Sequence, residues 1–426
     1  MIAAGDDANR VRRTPRAVSG ATLRPPRTDG TTSLRELAQV FLRLGAVSFG
    51  GPAAHIAMME DEIVRRRQWM AREQFLDLVG ATNLIPGPNS TELAIHIGHA
   101  RAGWPGLVVA GLSFIVPAVL FVTLIAWSYV RFGALPAMGG VLYGVKPVVI
   151  AVVVQALVGL ARTALKTRLL VAVGGAATLA AALGVTELAI LFVAGAGMVL
   201  AGGADRMHPS DPADGERLTA LVPVTFGGIS LAPPAVAAPL ATLAAAVPFG
   251  LWPLLLVFLK IGAVLFGSGY VLLAFLRTDL VERLGWLTER QLLDAVAVGQ
   301  VTPGPVFTTA TFIGYVVGGG PGAAVATVGI FLPAFVFVAL SGWALPYLRR
   351  SPVTGRVLDG VNVASLALMA VVTLRLGRAA FVDPVTVALA IVSAVLLMRL
   401  RVNATILVLG GALVGVATVG IGGAAP

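Results

Sequence analysis

Two Pro-Gly-Pro tripeptides, Pro86-Gly87-Pro88 and Pro303-Gly304-Pro305, each interrupt a long apolar run. A proline inside a helix removes a backbone donor and clashes with a preceding carbonyl. Neither run can therefore cross a bilayer as one continuous helix. Freed backbone groups at membrane depth are acceptable only where they face protein or a water-filled cavity. Paired interruptions at matching places in two halves of a chain point to a transporter's binding site. The membrane itself follows from composition: 12% of the residues are charged and 57% hydrophobic, against about 25% charged in soluble domains.

The interruptions belong to an internal duplication. Phe41-Leu-Arg-Leu-Gly45-Ala-Val-Ser-Phe49-Gly50 matches Phe258-Leu-Lys-Ile-Gly262-Ala-Val-Leu-Phe266-Gly267 at an offset of 217, and residues 41–92 share 19 identities in 52 positions with 258–309. Trp69 meets Trp286, Gln74 meets Gln291 and Asp77 meets Asp294 without a gap. At offset 216 the match continues, Gly144 with Gly360 and Ile190-Leu191 with Ile406-Leu407. Basic residues in loops mark the cytoplasmic side. The loop near 131–140 holds only Arg131, while its counterpart holds Arg349, Arg350 and Arg356; the link near 185–187 has no base, while its counterpart has Arg399 and Arg401. Opposite bias in matching loops predicts inverted repeats, although 60–73 and 277–290 are both basic. The expected fold is an all-α polytopic membrane protein of two homologous, inverted halves with broken helices and ten to thirteen crossings. Its parts are a disordered basic tail (1–33), a first repeat (34–204), a linker (205–250, with an extra membrane segment within 218–249) and a second repeat (251–426).

The net charge of +10 reads as topology signal rather than nucleic-acid binding. Arg10, Arg12, Arg13, Arg16, Arg24, Arg27 and Arg35 precede the first apolar run, which predicts a cytoplasmic N-terminus in the inner (plasma) membrane. Residues 1–33 lack the apolar core of a signal peptide. With no cysteine in the chain, disulfides and iron–sulfur clusters are excluded.

The chain resembles the chromate ion transporter family. The resemblance rests on Phe41-x-x-x-Gly45-x-x-x-Phe49-Gly50-Gly51-Pro52-x-x-His55-Ile56 with Pro86-Gly87-Pro88. It rests equally on Phe258-x-x-x-Gly262-x-x-x-Phe266-Gly267-x-Gly269 with Val298-Gly299-Gln300-Val-Thr302-Pro303-Gly304-Pro305. It covers about 36–422 and implies a two-domain, long-chain member that exports chromate using the membrane potential or proton gradient. The Gly-Gly-Pro triplet of the first half reads Gly267-Ser268-Gly269 in the second.

A tetrahedral dianion needs converging donors and partial positive charge, which helix N-termini supply. A helix restarting after Pro88 or Pro305 would present Asn89, Ser90 and Thr91, or Thr308 and Thr309, beside Asn83, Gln300 and Thr302. A second break at Gly50-Gly51-Pro52, with Gly267-Ser268-Gly269 as its counterpart, is expected to face the first, and His55 would add a pocket donor. Arg43 and Lys260 are intramembrane bases at equivalent positions, which makes them anion-binding candidates unless they snorkel. Glu92, matched by Thr309, is the candidate for proton coupling. Asp77 and Asp294 read as charges stabilising helix N-termini. Glu92, His96 and His99 share a helical face but lack a fourth ligand, so neither metal nor other cofactor is expected. The expected partners are chromate or sulfate, the lipid bilayer and, as one option, a second copy in a homodimer. Sulfate or another oxyanion is the alternative cargo. An intramembrane enzyme or scaffold is the alternative class, although no nucleophile–base pair or phosphate-binding loop is present.

Overall fold

The computed structural model describes residues 32–49, 51–132, 136–204, 249–266, 271–400 and 402–422, and every regular element among them is helical. In the first half α1 (Leu34–Val47) ends at a break, and α2 (Pro52–Met59) runs on into a π-helical turn, Glu60–Arg66. Next come α3 (Arg72–Thr82), the Pro-Gly-Pro break and α4 (Asn89–Phe132), which restarts directly after Pro88. Helices α5 (Pro136–Ala164), α6 (Arg168–Ala182) and α7 (Glu187–Ala204) complete the half. The second half repeats the series as α8 (Leu251–Val264), α9 (Leu272–Leu276) with a π-helical turn Arg277–Arg283, and α10 (Glu289–Val301). A 3-10 turn, Val306–Thr308, then precedes α11 (Thr309–Arg350), α12 (Pro352–Ala380), α13 (Pro384–Met398) and α14 (Ala404–Gly422). Even irregular backbone is duplicated: Gln68 and Gly285, matched in the alignment, sit at φ 51° and 63°, and Gly103 and Gly319 at 62° and 61°.

Helices α4 and α11 are not single rods. At Ala102–Gly103 the chain folds back, so that a side chain on Gly98 or Gly106 would strike the other's carbonyl. At Gly318–Gly319 the same happens to Gly314 and Gly322, and the Thr311 and Thr327 hydroxyls bond across the arms at 2.7 Å. The first arm of α4 thus pairs with α3 as a hairpin tipped by Pro86-Gly87-Pro88. Helices α1 and α2 make another: Arg67, beyond the return arm, bridges Glu36 at the start of α1 at 2.7 Å. Arg101, at the foot of the first arm of α4, donates to the Thr32 hydroxyl and the Trp69 carbonyl. The apolar runs at 36–58 and 75–98 are therefore re-entrant hairpins that return to the face they entered by. Counting them as crossings, as the expectation of ten to thirteen did, overcounts. Among the described residues four helices, α4, α5, α11 and α12, are long and apolar enough to cross a bilayer.

The second arm of α4, residues 104–132, is roughly 43 Å long at 1.5 Å per residue and relates the halves. It starts at the feet of the first-half hairpins. Near its end Tyr129 donates a 2.9 Å hydrogen bond to Asp294 and packs on Phe312, on the hairpin α10–α11. The feet of the second-half hairpins are there too, where Phe249 packs on Trp286 and against Gly318. The two hairpin sets enter from opposite faces, called here the first and the second, so the repeats are inverted. Each half also clasps the other: α13 and α14 pack along α5, and α6 and α7 along α12. At Gly144–Gly411 and Gly360–Ala194 the backbones approach too closely to admit a Cβ. The linker at 205–248, with the expected extra segment, and the basic tail at 1–31 lie outside the described residues.

Candidate functional site

The four hairpin tips meet in the middle of the molecule, and they meet across the halves. The Gly87 N–H donates to the Leu265 carbonyl at 2.8 Å, and the Gly304 N–H donates to the Ser48 carbonyl at 2.8 Å. Under the 217-residue shift these are one contact made twice. Glycine is required at both donors, because Gly87 lies at φ 138° and Gly304 at 89°, conformations that an L side chain rarely adopts. Each Pro-Gly-Pro turn is thus pinned to the first break of the opposite half. Facing breaks were expected; the exchange between halves was not.

A cavity of about 960 Å³ reaches the first-half tips. Pro52 at the start of α2, with Asn83 and Asn89 flanking the Pro-Gly-Pro turn, lie at its floor. The Asn89 side-chain amide donates to Asn83 at 2.8 Å. Gly51, at φ 83°, caps α2 without a side-chain hydrogen bond, so two helix N-termini, those of α2 and α4, point toward one floor. That combination favours an anion. The walls come from α5 and α12 and add Gln155, Asn362 and the buried Ser365, whose hydroxyl has no hydrogen-bond partner. Arg162 and Lys166, near the end of α5, and Asp359, near the start of α12, line the cavity as well. Because α5 returns from the second face, this vestibule opens on the first.

Around the first tip His55 is 1% exposed; its Nδ1 shares a 3.2 Å hydrogen bond with the Ser90 hydroxyl, and its Nε2 has no partner. Thr91 and Glu92 are fully buried, and neither the Thr91 hydroxyl nor either Glu92 oxygen has a hydrogen-bond partner. Glu92 lies directly behind Gly87, where a Cβ would strike its carboxyl group. The second tip is built differently. Thr302, Thr308 and Thr309 are buried with their hydroxyls tied to local carbonyls, those of Val298, Pro305 and Val306. Gln300 is half-buried beside them, with Pro303 and Pro305 enclosed. In the first turn Pro88 is enclosed but Pro86 is only half-buried.

The two intramembrane bases are not at the tips. Lys260 pairs with Asp279, which also holds Arg283 at 3.1 Å. Arg43 is exposed and lines a groove between α1 and α2 with Asp61, Glu62 and Arg66. Gly50, Gly267, Ser268 and Gly269 lie outside the described residues. Among the described residues, no three His, Asp or Glu converge as metal ligands would.

One polar cluster escaped the sequence reading. Asp294, 1% exposed, accepts from Tyr129 and forms a 2.9 Å ion pair with Lys146 of α5. Asp294 is therefore more than a charge at a helix start. Its partners come from the other half, and no spacing in the sequence announces them. Ser365 and Asn362 were likewise unmarked.

The model of the chromate transporter family matches residues 35–201 and again 252–416. The chain is 33% identical to the chromate transport protein of Cupriavidus metallidurans over 91% of its own length and 94% of the relative's. It is 34% identical to the chromate transport protein of Pseudomonas aeruginosa, covering 91% and 95%. An uncharacterized transporter of Methanocaldococcus jannaschii is 25% identical over 79% of this chain and 82% of its own. No solved structure matches the chain with significance. The chain belongs to the chromate transporter family.

Proposed function

We propose that this member of the family carries chromate across the membrane as a secondary transporter, binding it at the vestibule floor between Pro52, Asn83 and Asn89. The observation that carries the site is the convergence there of two helix N-termini at the end of a cavity whose charged lining, Arg162, Lys166 and Asp359, is positive by one. Partial charges and amide donors hold a dianion without a fixed counter-ion, which keeps release possible. Sulfate, with the same shape and charge, competes.

The first face is cytoplasmic in this reading and the membrane is the plasma membrane. The segments after α11 and α13 turn toward that face with Arg349, Arg350, Arg356 and Arg399, while the matching segments on the second face hold Arg131 alone, and cytoplasmic segments carry the excess of bases. Transport then runs outward. A potential of 100 mV, inside negative, contributes about 2.3 kcal/mol per charge, roughly 4.6 kcal/mol for a dianion. Glu92, buried behind the first Pro-Gly-Pro turn, is the group through which a proton gradient would act. Inside-out vesicles energised by a measured potential are expected to accumulate labelled chromate, with excess sulfate reducing the rate. Absence of accumulation under a verified gradient overturns the reading. Asn89→Val, which installs the second-half residue, should raise the chromate concentration needed for half-maximal rate by about tenfold, the loss of one charge-assisted hydrogen bond.

A further inference from the structure

Helices α3 and α10 are repeats of each other, yet they are packed differently. Leu293 and Asp294 of α10 are each 1% exposed, while Leu76, the counterpart of Leu293, is 49% exposed, and Asp77 is exposed as well. The cause is the neighbourhood. Helix α10 packs against α5, α12 and α14, whereas α3 packs chiefly against α4 and the adjoining π-helical turn. On the first face the space beside α3 is the vestibule; on the second face the equivalent space is filled by α10.

The repeat relation identifies what that filled space would become if α10 moved. Asn362, on the wall of the open vestibule, is matched by Lys146 (362 − 216 = 146). Lys146 is the residue that Asp294 now holds at 2.9 Å, with its side chain 11% exposed. We propose that a second vestibule opens on the second face, that Lys146 is its anion-binding residue, and that Asp294 takes the oxyanion's place on Lys146 while that face is closed. The ligand class is a tetrahedral oxyanion, matched by one ammonium group on the wall and the Tyr129 hydroxyl beside it. A carboxylate is a good surrogate for such an anion because both accept charge-assisted hydrogen bonds of similar length. Asp294 leaves with α10, whereas Lys146 stays on α5. Opening the second face therefore exchanges one anion for another on the same cation, and no charge is left buried without a partner.

This rests on the proposed transport function, and two measurements separate its failure from that of the transport reading. The chain has no cysteine, so Asn362→Cys, or Lys146→Cys made together with Asp294→Asn so that no carboxylate is left buried alone, carries the only thiol in the full-length protein. In oriented membrane vesicles, an impermeant sulfonate-bearing thiol reagent should modify Asn362→Cys from the first face and Lys146→Cys from the second. Modification at 146 from the first face alone, or from neither face, overturns the proposal. The second measurement compares charge-balanced variants. Lys146→Gln combined with Asp294→Asn removes both charges, so that neither is left buried and alone. If Lys146 binds the anion, this double variant assembles normally but needs about tenfold more chromate for half-maximal rate, while Lys146→Arg stays within about twofold. If the pair only holds the fold, the double variant transports with unchanged affinity, and the proposal fails. Should the unaltered protein carry no chromate, the transport reading falls, whereas two-sided labelling would still report the second vestibule.

Discussion

The tip of the first half and the tip of the second have the same backbone and different chemistry. Both are broken at the same positions, turn through a left-handed glycine between two prolines, and donate that glycine's N–H across the molecule. Around the first stand His55, Ser90 and Glu92; in their places the second has Leu272, Phe307 and Thr309. The backbone device is needed twice because each turn supports the opposite half. The polar chemistry is needed once, where a cavity arrives. A duplicated chain can thus keep its geometry symmetric while confining its side-chain chemistry to one copy.

The sharpest way to break the shared part is Gly304→Ala. A Cβ there would sit 2.6 Å from Ala118 and 3.1 Å from the Gly45 carbonyl, at a φ of 89°. Chromate transport is expected to drop by more than tenfold with a lowered thermal midpoint, both read on purified protein in vesicles. Gly87→Ala is also strained, but its nearest obstacle is the movable Glu92 side chain, so its loss should be smaller. A larger loss in Gly87→Ala than in Gly304→Ala would contradict this account of the turns.

The unshared part is broken by giving the first tip the second tip's residues. His55→Leu removes the partner of the buried Ser90 hydroxyl, a cost of about 1–3 kcal/mol. Transport should fall roughly tenfold at near-normal expression, because leucine already occupies the equivalent place in the other half. Glu92→Gln keeps the volume and removes the titrating group. Its transport driven by membrane potential should stay within about threefold, while any stimulation by an imposed pH gradient disappears; persistence of that stimulation would show Glu92 to be structural.

The mildest contrast lies at the short helices. Thr167 caps α6 by accepting from Leu170, and Asp383 caps α13 by accepting from Thr386. The hydrogen bond from Tyr143, followed by that from the Thr386 N–H, holds the Asp383 carboxyl below the usual carboxylate range. A depressed carboxylate stabilises the fold above its unfolded pKa and loses that contribution as the pH falls through the folded one. Hydrogen exchange at the start of α13 should therefore quicken below about pH 4 while the start of α6 is unchanged. Equal acid sensitivity at both starts would remove the distinction.

What could be read in advance follows from which residues carry backbone information. Proline and glycine dictate local geometry wherever they occur, so the breaks at Pro86-Gly87-Pro88 and Pro303-Gly304-Pro305, and their repetition, were legible. Apolar content alone does not distinguish a crossing from a hairpin, so the re-entrant course of 36–58 and 75–98 was not. It depends on contacts such as Glu36 with Arg67 and Thr32 with Arg101. The exchange of tips was hidden for a different reason, since identical turns fit either half's break equally well. Lys146 and Asp294 were illegible because they are not repeat-equivalent and pair only through the fold. Arg43 and Lys260 looked like anion ligands because burial of a base is costly; for Lys260 the counter-charge is Asp279.

The mutual clasp of α5 by α13 and α14, and of α12 by α6 and α7, limits how the molecule can move. Halves interlocked at glycine-to-backbone crossings cannot rock apart like two jaws without stripping those contacts. They behave as one frame, and motion is left to the four hairpins that hang within it. A staple between positions 144 and 411 should then leave turnover intact, whereas one between α10 and α5 should arrest it.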